Sequence, residues 1–212
     1  MTSLTVTDLT EQRCVAIARG RRATHCADTA QALSEAGIGI LEFPLTTPDV
    51  LAALPELIVA AGPDAFVGVG SVVTPADGEA AVEAGARFLV TPVVDVEVIR
   101  FAVGAGVPIL AGAYTPTEIQ LAWQTGATAV KLFPAVAGGP GLVRQLISGP
   151  FPGTPLVPTG GVTLEDAGHY IRSGAVALGM GGALLGDVLE TGSFGPLRER
   201  IARFQAVLAE AA

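Results

Sequence analysis

The chain has 212 residues, half of them apolar, 15% charged and 5% aromatic. That is enough apolar material for a full buried core, and it excludes a disordered chain. Twelve Lys and Arg against twenty Asp and Glu leave a net charge of −8, so the chain as a whole offers no footprint for nucleic acid or an anionic lipid surface.

The uncharged stretches 101–117 and 146–164 are broken by glycine and proline. Neither supplies the roughly 20 continuous apolar residues of a membrane span, and no membrane partner is expected. The opening MTSLTVTDLTEQ lacks the basic and then apolar segments of a secretory signal, which points to the cytoplasm. Cys14 and Cys26 are too few for a disulfide framework and form no CxxC pair; both read as free thiols.

Short runs rich in Val, Ile, Leu and Phe alternate with Ala-rich segments of helical spacing. In chain order, a strand over 15–19 precedes a helix over 29–36, and a strand over 40–45 precedes a helix over 49–61. The pattern repeats as strand 65–72 and helix 75–84, strand 88–94 and helix 96–103, then strand 108–114 and helix 115–125. Strand 129–134 with helix 142–148, strand 156–161 with helix 163–173, and strand 176–181 with a closing helix over 196–211 complete it. Several helices end in a glycine just before the next strand, at Gly37, Gly85, Gly126 and Gly174, where a left-handed residue closes a helix.

The strands are apolar throughout, as expected of parallel strands covered on both faces. Eight βα units in so short a chain predict a compact α/β fold, a (β/α)8 TIM barrel forming a single domain over 1–212, with an open doubly wound sheet as the alternative.

In such a barrel the informative residues are polar ones that break an apolar run near the carboxyl end of a strand. Lys131 is the only lysine of the chain and lies within Ala-Thr-Ala-Val-Lys-Leu-Phe-Pro. A lysine inside a barrel is costly to charge, which makes a neutral amine available to attack a carbonyl; the plainer reading is a strand-edge lysine with its head in water. Glu42 interrupts Gly-Ile-Gly-Ile-Leu-Glu-Phe-Pro-Leu in the same way. It suits proton transfer beside an imine, or else a structural pair with Arg19. Thr46, Ser71, Thr91 and Thr159 are further polar residues near strand ends.

The last two strands run into Gly160-Gly161 and Gly181-Gly182. Backbone amides there can cradle an anion, although tight turns also call for glycine. His25 and His169 stand far apart and form no metal-ligand motif, so no metal is expected. Neither a GxSxG elbow nor a GxGxxG fingerprint is present, and no cofactor is expected. Trp123, on a predicted outer helix, fits either the core or a subunit contact.

Several segments in one order resemble the class I 2-keto-3-deoxy-6-phosphogluconate (KDPG) and 2-dehydro-3-deoxy-6-phosphogalactonate (KDPGal) aldolases. They are Leu41-Glu42-Phe43-Pro44-Leu45-Thr46-Thr47-Pro48, Val67-Gly68-Val69-Gly70-Ser71-Val72, Val90-Thr91-Pro92, Ala113-Tyr114-Thr115-Pro116-Thr117-Glu118, Val130-Lys131-Leu132-Phe133-Pro134-Ala135 and Pro158-Thr159-Gly160-Gly161-Val162. The resemblance implies a metal-free, homotrimeric aldolase in which Lys131 forms a Schiff base with the C2 carbonyl of a 2-keto acid. Glu42 would shuttle protons, and pyruvate and an aldehyde such as glyceraldehyde 3-phosphate would be the products. Arg19, Thr46, Ser71, Thr91, Pro92, Phe133, Thr159 and the four glycines would bind substrate.

Thr46 stands where the gluconate branch carries an arginine, and Gly182 where relatives commonly carry a phosphate-binding serine. The segment around Glu42 is closer to the galactonate branch. 4-Hydroxy-2-oxoglutarate cleavage, oxaloacetate decarboxylation and a non-catalytic phosphate-ligand barrel are the alternatives.

Overall fold

In the computed structural model, which describes residues 3–21 and 23–211, the strands are β1 Cys14–Ile17, β2 Ile40–Pro44, β3 Phe66–Gly70, β4 Leu89–Val90, β5 Ile109–Ala113, β6 Ala129–Leu132, β7 Leu156–Pro158 and β8 Leu178–Met180. All neighbours pair in parallel. Their order is β7-β6-β5-β4-β3-β2-β1-β8, and a parallel bridge between Thr159 and Gly179 joins β7 to β8. Sequential order with the two ends meeting makes this a (β/α)8 barrel and excludes the open sheet, whose strand order would reverse at a switch point.

The helices are α1 Val6–Gln12, α2 Cys26–Glu35, α3 Val50–Ala61, α4 Pro75–Glu83, α5 Val96–Gly104, α6 Pro116–Thr125, α7 Gly139–Ser148, α8 Ala167–Arg172, α9 Gly182–Leu185, α10 Val188–Thr191 and α11 Phe194–Glu210. Among the described residues no helix is long and apolar enough to cross a membrane. Local chemistry sets many boundaries. Both α4 and α6 open on a Thr-Pro pair with an acid two residues further on, and the threonine and the acid close reciprocal bonds: the Thr115 amide donates to Glu118 Oε2 at 2.7 Å, and the Glu118 amide to Thr115 Oγ1. These capping boxes satisfy amides that a helix start leaves without partners. Glycines 37, 85, 126 and 174 take φ of 82°, 104°, 106° and 103° at their helix ends, as their sequence positions predict.

Strand alternation divides the core in two. Val15, Ile40, Phe66, Phe88, Val90, Leu110, Ala129, Val157 and Ala177 fill the barrel together with Leu4 and Leu9 of the N-terminal segment. Their sequence neighbours Cys14, Ala16, Leu41, Val67, Leu89, Ile109, Val130 and Leu178 pack outward against the helices. Counting two residues on from Ile40 and from Ala129 gives Glu42 and Lys131. Both therefore share the inward parity, one layer nearer the carboxyl ends of the strands.

Three sequence expectations need correction. The predicted strands overrun at their carboxyl ends, most of all 88–94, where only Leu89–Val90 pair; there Pro92 cannot donate to a ladder. The helix expected from 163 begins at Ala167, because Thr163 and Asp166 first close a turn, with the Asp166 amide donating to Thr163 Oγ1 at 3.2 Å. Helices α1, α9 and α10 were not predicted. The first has a single fully buried side chain, Leu9, and the other two span four residues each, too little for a 3.6-residue period to register.

Candidate active site

Lys131 and Glu42 meet inside the barrel. Lys131 Nζ lies 3.7 Å from Glu42 Oε1, with the two side chains 9% and 2% exposed. That separation is beyond a direct hydrogen bond, and Glu42 Oε1 is buried without a hydrogen-bond partner. A buried carboxylate oxygen with unused acceptor capacity beside an amine is costly as mere packing, which makes it a candidate for chemistry. Arg19 makes no ion pair with Glu42 among the described residues, so the structural pairing considered for Glu42 is not formed.

Lys131 opens into a cavity of about 390 Å³ whose walls bring together Arg19, Phe133, Thr159, Gly160, Gly161, Gly181 and Gly182. The Phe133 ring centroid is 5.7 Å from Lys131 Nζ, and the ring lies 2.8 Å from where a side chain at Gly160 would begin. Gly160 and Gly161 both have positive φ, 87° and 79°, a succession that L side chains resist. Behind them, Tyr170 donates its hydroxyl proton to the Ala135 carbonyl and steadies the turn after β6. Among the described residues, the walls carry no charge apart from Arg19 and Lys131.

The remaining residues expected at the site lie elsewhere. Thr46 and Pro92 do not line this cavity. Thr91 is fully buried, donating to the Val93 carbonyl at 2.6 Å and accepting from the Gly112 amide at 3.0 Å, so its hydroxyl splices β4 to β5. Ser71 is held at φ 59° just beyond β3, outside the cavity wall. Such a φ is uncommon for a residue with a side chain and recurs at functional sites.

Sequence reasoning missed the apolar walls Ile17, Leu185 and Leu189, and it missed Thr163. Polar residues at strand ends stand out in an apolar sequence, whereas no polar signal marks apolar walls. Sequence reasoning also missed Thr47. This buried hydroxyl accepts from the Gly20 amide at 3.2 Å and so ties the loop carrying Arg19 to the loop after β2; a hydroxyl next to the exposed Thr46 was the available clue.

A barrel that sets one amine beside one carboxylate at the carboxyl ends of its strands is arranged for covalent carbonyl chemistry of the Schiff-base kind. A family model described as KDPG and KHG aldolase matches residues 6–194. The 2-dehydro-3-deoxy-6-phosphogalactonate aldolase of Escherichia coli is 34% identical over 170 residues, covering 80% of this chain and 83% of that one. The 2-dehydro-3-deoxy-phosphogluconate aldolase of Pseudomonas aeruginosa is 41% identical over 143 residues, 67% of this chain and 64% of that one. Among solved structures, the KDPG aldolase of Legionella pneumophila, with pyruvate captured as a covalent carbinolamine, superposes with a TM-score of 0.82 at 25% identity, covering 97% and 98% of the two chains. The chain belongs to the KDPG and KHG aldolase family.

Proposed function

We propose that the protein is a class I aldolase that cleaves a 2-keto-3-deoxy sugar acid to pyruvate and an aldehyde, with Lys131 as the imine-forming amine and Glu42 as the proton carrier. The 3.7 Å approach of Lys131 Nζ to Glu42 Oε1 inside the barrel carries this reading.

Neutral Nζ adds to the C2 carbonyl, and loss of water from the carbinolamine leaves an iminium. Removal of the C4 hydroxyl proton by the Glu42 carboxylate lets the C3–C4 bond break. Its electron pair moves into the iminium to give an enamine, and the aldehyde leaves. Protonation at C3 and hydrolysis return the amine and release pyruvate. Arg19, the other cation of the cavity, clamps the C1 carboxylate. The amides of the Gly160-Gly161 turn and the Gly181-Gly182 turn receive the distal anionic group of a 6-phosphorylated acid. Thr159 and Phe133 shape the space between, and Thr46, Ser71, Thr91 and Pro92 support the rim.

The galactonate-type acid is the first candidate. An unphosphorylated or shorter acid such as 4-hydroxy-2-oxoglutarate is favoured by one observation: Gly182 on the cavity wall offers no side-chain donor, and no other atom fills the space beside it within 4 Å. The family resemblance supports a homotrimer, with the exposed Val73 and Val93 beyond β3 and β4 available to a subunit contact, which sedimentation equilibrium would test.

Reduction with borohydride in the presence of pyruvate tests the chemistry, because it freezes an imine into a stable adduct. Intact-mass and peptide analysis are expected to place one reduced pyruvyl group on Lys131. Folded protein that takes up no adduct across a range of pH and pyruvate concentrations would overturn the proposal and favour a binding barrel.

A further inference from the structure

Beside Lys131, the Glu42 side chain fills a place where β3 carries no side chain. Glu42 on β2 points inward, and its carboxyl group lies across Gly70, the last residue of β3. A methyl group added at Gly70 would run into Glu42 Oε1 and stand 2.6 Å from its Cδ and 2.8 Å from its Cγ. Carbon atoms without a bond between them need about 3.5 Å or more, so an alanine here and the present seat of Glu42 are incompatible.

Backbone conformation does not explain this glycine. Gly70 is absent from the positive-φ glycines, and it sits in regular parallel register opposite Pro44, accepting a hydrogen bond from the Leu45 amide at 2.8 Å. Alanine is allowed by the strand itself; what fills the missing side-chain volume is the Glu42 carboxyl group.

We infer that Gly70 is a positioning residue for the aldolase reaction: it provides the berth that holds the Glu42 carboxylate against Lys131. The inference rests on the reading of Glu42 as the proton carrier, and it makes Gly70→Ala a lesion that acts through Glu42.

A double-mutant cycle of Glu42→Ala and Gly70→Ala tests it, read by aldol cleavage rates, by the rate of pyruvyl adduct formation under borohydride and by thermal unfolding. Glu42→Ala is expected to lower kcat by about 100-fold or more. Gly70→Ala alone is expected to lower kcat by a similar factor while KM changes less than about threefold, since neither Arg19 nor the glycine turns are touched. In the Glu42→Ala background, Gly70→Ala is expected to cost little more, because two changes acting through one group are not additive.

A Gly70→Ala variant that fails to fold, with a doubly substituted chain that folds, also supports the collision with Glu42. Near-normal turnover in Gly70→Ala, an undiminished loss in the Glu42→Ala background, or misfolding of both variants would each overturn the inference. If Glu42→Ala retains full turnover, the functional reading of Glu42 itself is what fails.

Discussion

Gly20 and Thr47 belong to different βα loops, 27 residues apart, and a buried hydrogen bond from the Gly20 amide to Thr47 Oγ1 joins them. Arg19, the residue before Gly20, lies on the cavity wall, and the tie anchors the backbone that carries it. Thr47→Val removes the acceptor and leaves a buried amide unpaired, a loss of about 1–3 kcal/mol in stability. Under the proposed clamp, KM for the keto acid rises several-fold while kcat changes little, and Thr47→Ser restores both. Steady-state kinetics with thermal melts of the three proteins give the answer. A Thr47→Val protein with unaltered KM would remove Arg19 from the proposed site.

Lys131→Ala takes away the amine and leaves Glu42 as a buried carboxylate with no cationic neighbour within ion-pair reach among the described residues. Turnover and adduct formation are expected to fall to background. Leaving an uncompensated buried charge destabilises a fold, so the melting temperature drops by several degrees. Adding Glu42→Gln then recovers the melting temperature without recovering turnover. That separation of stability from chemistry is checked by calorimetry alongside the cleavage assay.

Gly182 has a φ outside the left-handed region and open space beside it, so a serine fits without strain. Gly182→Ser supplies a hydroxyl donor at the distal end of the cavity and is expected to lower KM for a 6-phosphorylated acid by about threefold to tenfold, the worth of one hydrogen bond, leaving KM for the unphosphorylated analogue unchanged. Equal effects on both acids would show that the distal group does not bind beside position 182.

Burial pushes the Cys26 thiol up to about 11, with the nearby Glu190 carboxylate acting in the same direction, and burial raises Cys14 as well. An unfolded cysteine ionises near 9, so above that pH the unfolded chain releases protons that the folded chain keeps. The stability these thiols contribute is accordingly full below pH 9 and is lost as the pH rises toward 11. Cys26→Ala should flatten the decline, which melting temperatures taken from pH 8 to 11 will reveal; an identical slope in the variant refutes the assignment.

The fold was legible because parallel strands buried on both faces leave uninterrupted apolar runs, and any polar residue within one stands out. Lys131 and Glu42 were found in that way. Position at a strand end, by contrast, fixes the end of the barrel but not whether a side chain turns inward. Thr91 illustrates this: its hydroxyl is consumed by the Gly112 amide and the Val93 carbonyl. Helix α1 was hidden because Leu4 and Leu9, which reach the inner cluster from below, are too few to set up a period. Gly70 carries no signal of its own beyond its motif, since a sequence does not say which neighbour occupies the space a glycine leaves.

The glycine turns after β7 and β8 make one wall of the cavity mostly of main chain. Recognition by main chain survives most substitutions elsewhere in the protein, but it also leaves vacant positions at which a new side chain is a gain and displaces nothing. At Gly182 a single codon change can add a donor or a steric stop without disturbing the amine and carboxylate deeper in the barrel. Under the proposed function, substrate preference can therefore drift by small independent steps while the amine and carboxylate stay intact, a separation that lets one barrel follow a changing diet of sugar acids.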